Sequence, residues 1–114
     1  MLTLDDLRQF GANIQEGLDR CMSDEGFYLE LVGMTLEDAS FDRLSQAVAA
    51  DDRKAAFEAA HALKGIVANV SLTPLYAQVS EMTELLRGGQ EADYGAYLAR
   101  ILEMRADLLA RQNG

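Results

Sequence analysis

The sequence is poor in the residues that staple, kink or coordinate. In 114 residues it has one cysteine, one proline, one histidine and no tryptophan. A lone Cys21 excludes an internal disulfide and points to a reducing compartment. A four-ligand Cys/His zinc site is excluded by count. No apolar run approaches the length needed to span a bilayer. The N-terminus, Met1-Leu2-Thr3-Leu4-Asp5-Asp6, is acidic and lacks the basic-then-apolar order of a signal peptide. A soluble, cytoplasmic protein is expected. Basic residues are also scarce, 10 Lys and Arg against 19 Asp and Glu, for a net charge of −9. Phosphate backbones repel such a surface, which argues against general nucleic-acid binding. There is no glycine-rich phosphate loop, and Gly88-Gly89 reads as a turn. No repeat, low-complexity segment or interdomain linker interrupts the chain.

What is present favours helix. Apolar residues make up 49% of the chain and are spread along it, enough for one domain over 1–114 with a modest core. Alanine, leucine, glutamate and methionine are frequent, while isoleucine and threonine are few. Leu4, Leu7, Phe10, Ile14 and Leu18 recur at helical spacing over 4–21, weakened by Gly11 and Gly17. Ser23-Asp24 suits the cap of a helix at about 24–38, with Phe27, Leu31, Met34 and Leu36 as its apolar set. Ser40 suits the cap of the next, about 41–50, carrying Phe41, Leu44 and Val48. Asp51-Asp52 opens a helix at about 52–70. Thr73-Pro74 reads as N-cap and first helical position of a helix over 74–87, stopped by Gly88-Gly89. A last helix, about 91–111, carries Tyr94, Leu98, Ile101, Met104 and Leu108. Short connections imply antiparallel neighbours. The expected architecture is all-α: an up-and-down four-helix bundle over about 23–111, with an N-terminal helical cap over about 1–22.

The one histidine stands in the string Ala59-Ala60-His61-Ala62-Leu63-Lys64-Gly65. On a helical wheel centred on Leu63, Ala56, Ala59, Ala60, Ile66, Val67 and Val70 lie within about 60° and form the buried stripe. His61 and Gly65 both fall roughly 160° away, with Phe57, Ala68 and Lys54 on the same side and Lys64 between this face and the core. A lone histidine is more often packed or incidental than functional, but the wheel turns this one toward solvent. Glycine inside a helix costs about 1 kcal/mol relative to alanine. Gly65, one turn beyond His61, opens space where another backbone or a phosphoryl group can approach. The only two lysines, Lys54 and Lys64, lie on this helix, and Arg53 adds to a local positive patch in an acidic protein. A hairpin turning near Leu72 places Thr83 opposite His61 and Arg87 one turn further along the same edge.

These residues resemble a known family. His61-Ala62-Leu63-Lys64-Gly65, followed by Asn69, is similar to the signature of histidine-containing phosphotransfer (HPt) domains of two-component phosphorelays. The similarity extends over roughly residues 20–110, including the hairpin and the Leu85-Leu86-Arg87 ending. Two positions depart from it. Family members often carry glycine two residues after the asparagine, where this chain has Ser71, and many place a glutamine near Thr83.

The resemblance implies that His61 accepts a phosphoryl group from an aspartyl phosphate on a receiver domain and passes it to another response-regulator receiver. It implies Nε2 as the reacting atom and a hybrid sensor histidine kinase upstream. A neutral imidazole nitrogen is nucleophilic near pH 7, because the ordinary pKa of the ring is about 6.5. Transfer needs in-line geometry and neutralisation of spread negative charge, and Lys64 is the candidate for the second task. Phe57, Ala62, Gly65, Ala68, Thr83 and Arg87 are the candidate partner-binding residues. Asn69 is expected to support the hairpin or the helix end. The receiver should supply the acidic pocket, the Mg2+ and most catalytic groups; no cofactor or metal is expected on this chain. It is thus expected to be a covalent carrier and not an enzyme. Two other readings are a phosphoacceptor domain of a chemotaxis-type kinase and a helical adaptor that docks without phosphorylation. Met1 and the full bundle length point to a free-standing protein, and a bundle that buries its own apolar faces points to a monomer.

Overall fold

The computed structural model describes residues 1–114. The chain is all-helical, with α1 (Leu4–Phe10), α2 (Ile14–Arg20), α3 (Glu25–Leu36), α4 (Ser40–Ala49), α5 (Arg53–Asn69), α6 (Thr73–Arg87) and α7 (Tyr94–Asn113). Acidic and amide side chains start most of them by accepting a free backbone N–H of the first turn. Asp24, Asp52 and Asp93 accept from Phe27, Ala55 and Ala96, and Thr3 forms a reciprocal capping box with Asp6. The N-terminal segment divides where Gly11 adopts φ 104°, closing α1.

Two expected caps fall elsewhere. Ser40 is buried within α4, and the Asp38 carboxylate accepts its N–H at 2.8 Å. That bond holds the Asp38 carboxyl below the usual carboxylate range. Thr73 is the first residue of α6 and not its cap, so Pro74 stands one place further in. The helix still loses nothing, because first-turn N–H groups have no intrahelical acceptor.

One element differs in phase from its sequence reading. On α3 the buried residues are Tyr28, Val32, Thr35 and Leu36, while Phe27 and Met34 are 48% and 62% exposed. This helix is apolar on both sides, so its periodicity does not choose a face. Tyr28 decides it. Its hydroxyl donates to the Val70 carbonyl at 2.9 Å, and its ring lies where a Cβ on Gly17 would stand only 2.5 Å away.

The core is one continuous apolar cluster that includes Leu7, Tyr28, Leu36, Phe41, Leu44, Leu63, Leu75, Met82, Ile101 and Leu108. Within it α5 packs against α4 and α6, and α7 packs against α6 and α4. Along α5 and α6 the side-chain contacts run in opposite directions. Lys64 meets Glu84, Phe57 meets Arg87, and Arg53 reaches Glu91 beyond the end of α6.

The turn between α5 and α6 is tied down by the N-terminal helices. Ser71 is buried and left-handed at φ 57°, a conformation that costs a residue with a Cβ. Its hydroxyl donates to Glu16 at 2.8 Å and accepts from Arg20 at 2.7 Å. Arg20 also donates to the Ala68 carbonyl at 2.8 Å, and the Asn13 N–H donates to the Ser71 carbonyl at 2.9 Å. The position where the resemblance leads one to expect glycine is therefore held by side chains of α2.

Candidate functional site

The α5 stripe buries Ala56, Ala59, Ala60, Leu63 and Val67, with Val70 buried just past its end. Ile66 is only half-buried, at the edge of the stripe. That phase leaves His61 exposed on the opposite side, beside exposed Ala62 and Gly65. Ala68 is half-buried and Lys54 is exposed. A Cβ added to Gly65 would meet nothing within 4 Å. No contact inside the protein therefore requires glycine here, although it weakens an uninterrupted helix.

The imidazole has an aromatic neighbour on its own helix. Phe57, one turn back, stacks on it with ring centroids 5.6 Å apart and planes 18° from parallel. The Arg87 guanidinium lies over the Phe57 ring, 5.1 Å from its centroid. Arg87 in turn donates to the Glu84 carboxylate at 3.3 Å. The same oxygen, Oε2, is 3.7 Å from Lys64 Nζ. One connected group thus joins Lys64, Glu84, Arg87, Phe57 and His61 across α5 and α6.

Three sequence expectations change at this site. Thr83 is fully buried and donates its hydroxyl to the Val79 carbonyl at 2.7 Å, so it is not a surface contact residue. The hairpin estimate finds the correct turn of α6 but the wrong face, and Glu84 is the neighbour that points outward. Arg53 does not join the patch around His61: it pairs with Glu91 and Asp51 and covers the Tyr94 ring. The hydrogen bond to Glu91 holds its guanidinium above the ordinary arginine value. Lys64 is on the site face, but it is shielded and already paired with Glu84.

Asn69, at the end of α5, is exposed, and its side chain forms no hydrogen bond within the chain. The support expected of it comes instead from Ser71, Glu16 and Arg20. A groove between α3 and α5 borders the site, lined by Leu31, Met34, Thr35, Ala62, Gly65 and Ile66. Sequence reasoning missed Glu84 and this α3 wall. The hairpin register puts Ser80 opposite Lys64, so the pairing with Glu84 one turn away was not readable from it, and the exposure of Met34 depends on the Tyr28 anchor. No cluster of three or more His, Cys, Asp or Glu side chains comes together to hold a metal ion. No helix is long and apolar enough to cross a membrane.

The arrangement presents one nucleophilic ring at a surface with clearance beside it and cations nearby. It lacks the convergent polar groups of an enclosed catalytic pocket. A comparison with known families gives the same direction: the sequence model of the Hpt domain matches residues 30–111, from within α3 to near the end of α7. No curated protein and no solved structure gave a match. With most of its length matched, the chain belongs to the Hpt domain family.

Proposed function

We propose that His61 is the phosphoacceptor of a relay: it takes a phosphoryl group from an aspartyl phosphate on one receiver domain and yields it to the aspartate of another. Family membership gives the chain a phosphotransfer role in two-component signalling. The observation that carries the assignment to His61 is its exposure beside Gly65, where an added Cβ would meet nothing.

The chemistry is a simple exchange. The ring nitrogen lone pair forms a P–N bond as the P–O bond to the donor carboxylate breaks. The carboxylate leaves with the electron pair, and the other ring nitrogen keeps its proton until solvent removes it. Such a transfer is mostly positioning and charge neutralisation. Phe57 orients the ring, Lys64 lies one turn away to meet the phosphoryl oxygens, and Gly65, Ala62 and Ala68 keep the docking face low. The receiver would bring its acidic pocket and Mg2+. In this reading α4–α7 form an antiparallel, up-and-down four-helix bundle that acts as a rigid platform, with α1–α3 bracing it. Residues 1–114 then act as one monomeric cytoplasmic domain, fed by a hybrid sensor kinase.

The decisive comparison is transfer of label from phosphorylated receiver domains to the protein and to His61→Gln. Label that resists alkali and is lost in acid, and is absent from the variant, supports the assignment. Equal labelling of His61→Gln would sink it.

A further inference from the structure

We infer that Glu84 is a built-in competitor for the phosphoryl group, holding Lys64 and Arg87 until a phosphoryl dianion on His61 displaces it. The inference rests on the relay reading and adds a control to it. Its basis is the geometry: a single carboxylate oxygen lies 3.7 Å from Lys64 Nζ and 3.3 Å from Arg87 Nε. Arg87 covers Phe57, which stacks on His61. The other basic residues at this end of α5 are elsewhere engaged or far along the helix: Arg53 pairs with Glu91, and Lys54 lies two turns before His61. Lys64, one turn from His61, and Arg87, over the Phe57 ring, therefore share one anion.

The pair suits exchange rather than permanent closure. Glu84 is 55% exposed on its side chain, and 3.7 Å is a loose contact. Exposed ion pairs of this kind are weak and screened by salt. A phosphoryl group carries more charge and more acceptor oxygens than a carboxylate, so it wins the lysine once it is on the ring. Before that, Glu84 keeps the face less positive and disfavours acceptance. Unit charges several ångströms apart in water interact by roughly RT, a factor of about three.

The probe is phosphoramidate, a small donor that phosphorylates exposed histidine without a partner protein. The rate of phosphohistidine formation is followed by 31P NMR for wild type, Glu84→Gln, Lys64→Met, the double variant and Glu103→Gln. Glu103 is an exposed acid of equal charge on α7, which packs mainly on α4 and α6. Glu84→Gln should react about threefold faster at low salt. The gain should vanish at about 1 M salt, where the Debye length is about 3 Å. It should shrink in the Lys64→Met background, where only Arg87 remains to be freed, and be absent from Glu103→Gln. Equal rates for wild type and Glu84→Gln, or the same gain from Glu103→Gln, overturn the inference, as does a gain undiminished in Lys64→Met. The relay reading fails differently: the wild type would then react with phosphoramidate but take label from no phosphorylated receiver.

Discussion

The Phe57 ring lies nearly parallel to the His61 imidazole, 5.6 Å away between centroids and one helical turn before it. Arg87 lies over that ring from α6. An exposed histidine would otherwise sample several rotamers, and in-line transfer uses only a fraction of them. Aromatic pairs are worth about 0.5–1.5 kcal/mol beyond area burial. Phe57→Leu, which keeps apolar volume but not the stack, should slow single-turnover phosphoryl transfer by roughly two- to tenfold. The thermal transition should stay close to wild type, and Phe57→Tyr should restore the rate. An unchanged rate in Phe57→Leu removes the orienting role.

Gly65 separates folding from docking. Its Cβ would stand in open space on a continuous helix. Gly65→Ala should therefore stabilise the protein by about 0.5–1 kcal/mol in urea denaturation. Gly65→Leu should also fold, yet lose most receiver-dependent transfer because its side chain fills the clearance beside His61. Reaction of Gly65→Leu with a small phosphodonor should fall much less. Destabilisation by the alanine variant would mean that glycine serves the fold here.

Tyr28 gives the fold an alkaline limit. Burial pushes its hydroxyl up to about 12 from the ordinary 10. The folded state therefore holds the proton more tightly than the unfolded chain. This contribution is fully present below pH 10 and is lost progressively as pH rises toward 12. Urea midpoints measured across that window should fall, and the fall should be smaller in Tyr28→Phe. That variant should also lose about 1–3 kcal/mol at neutral pH, since the buried Val70 carbonyl loses its donor. Gly17→Ala should destabilise by roughly 1–3 kcal/mol through its clash with the same ring.

Ser71 separates backbone strain from side-chain bonding. Ser71→Ala keeps the left-handed strain and loses the bonds to Glu16 and Arg20, so it should cost about 1–2 kcal/mol. Ser71→Gly relieves the strain and should cost less than alanine. Ser71→Val should be the worst of the three, since a β-branched residue tolerates a positive φ poorly. Chemical denaturation of the series gives the order, and alanine more stable than glycine would contradict it.

The helices were legible because their signals are local. Asp24 and Asp52 sit where helices need acceptors, and Leu63 with its small neighbours sets one unambiguous stripe on α5. That stripe alone turned His61 outward. What was not legible depended on distant partners. Phe27 and Met34 are as apolar as Tyr28 and Val32, and only the reach of Tyr28 to Val70 selects the buried side of α3. Thr83 and Glu84 are adjacent in sequence, and a hairpin count cannot tell which faces out. Lys64 reads as a free cation until Glu84 is placed beside it.

The account stands or falls on the atom that carries the phosphoryl group. The most direct measurement is 31P NMR of the protein after incubation with a phosphorylated receiver domain and Mg2+. The prediction is a single phosphoramidate resonance, stable in alkali, lost in acid and absent from His61→Gln. A resonance that persists in His61→Gln, or none in the wild type with receivers that phosphorylate other Hpt domains, contradicts it.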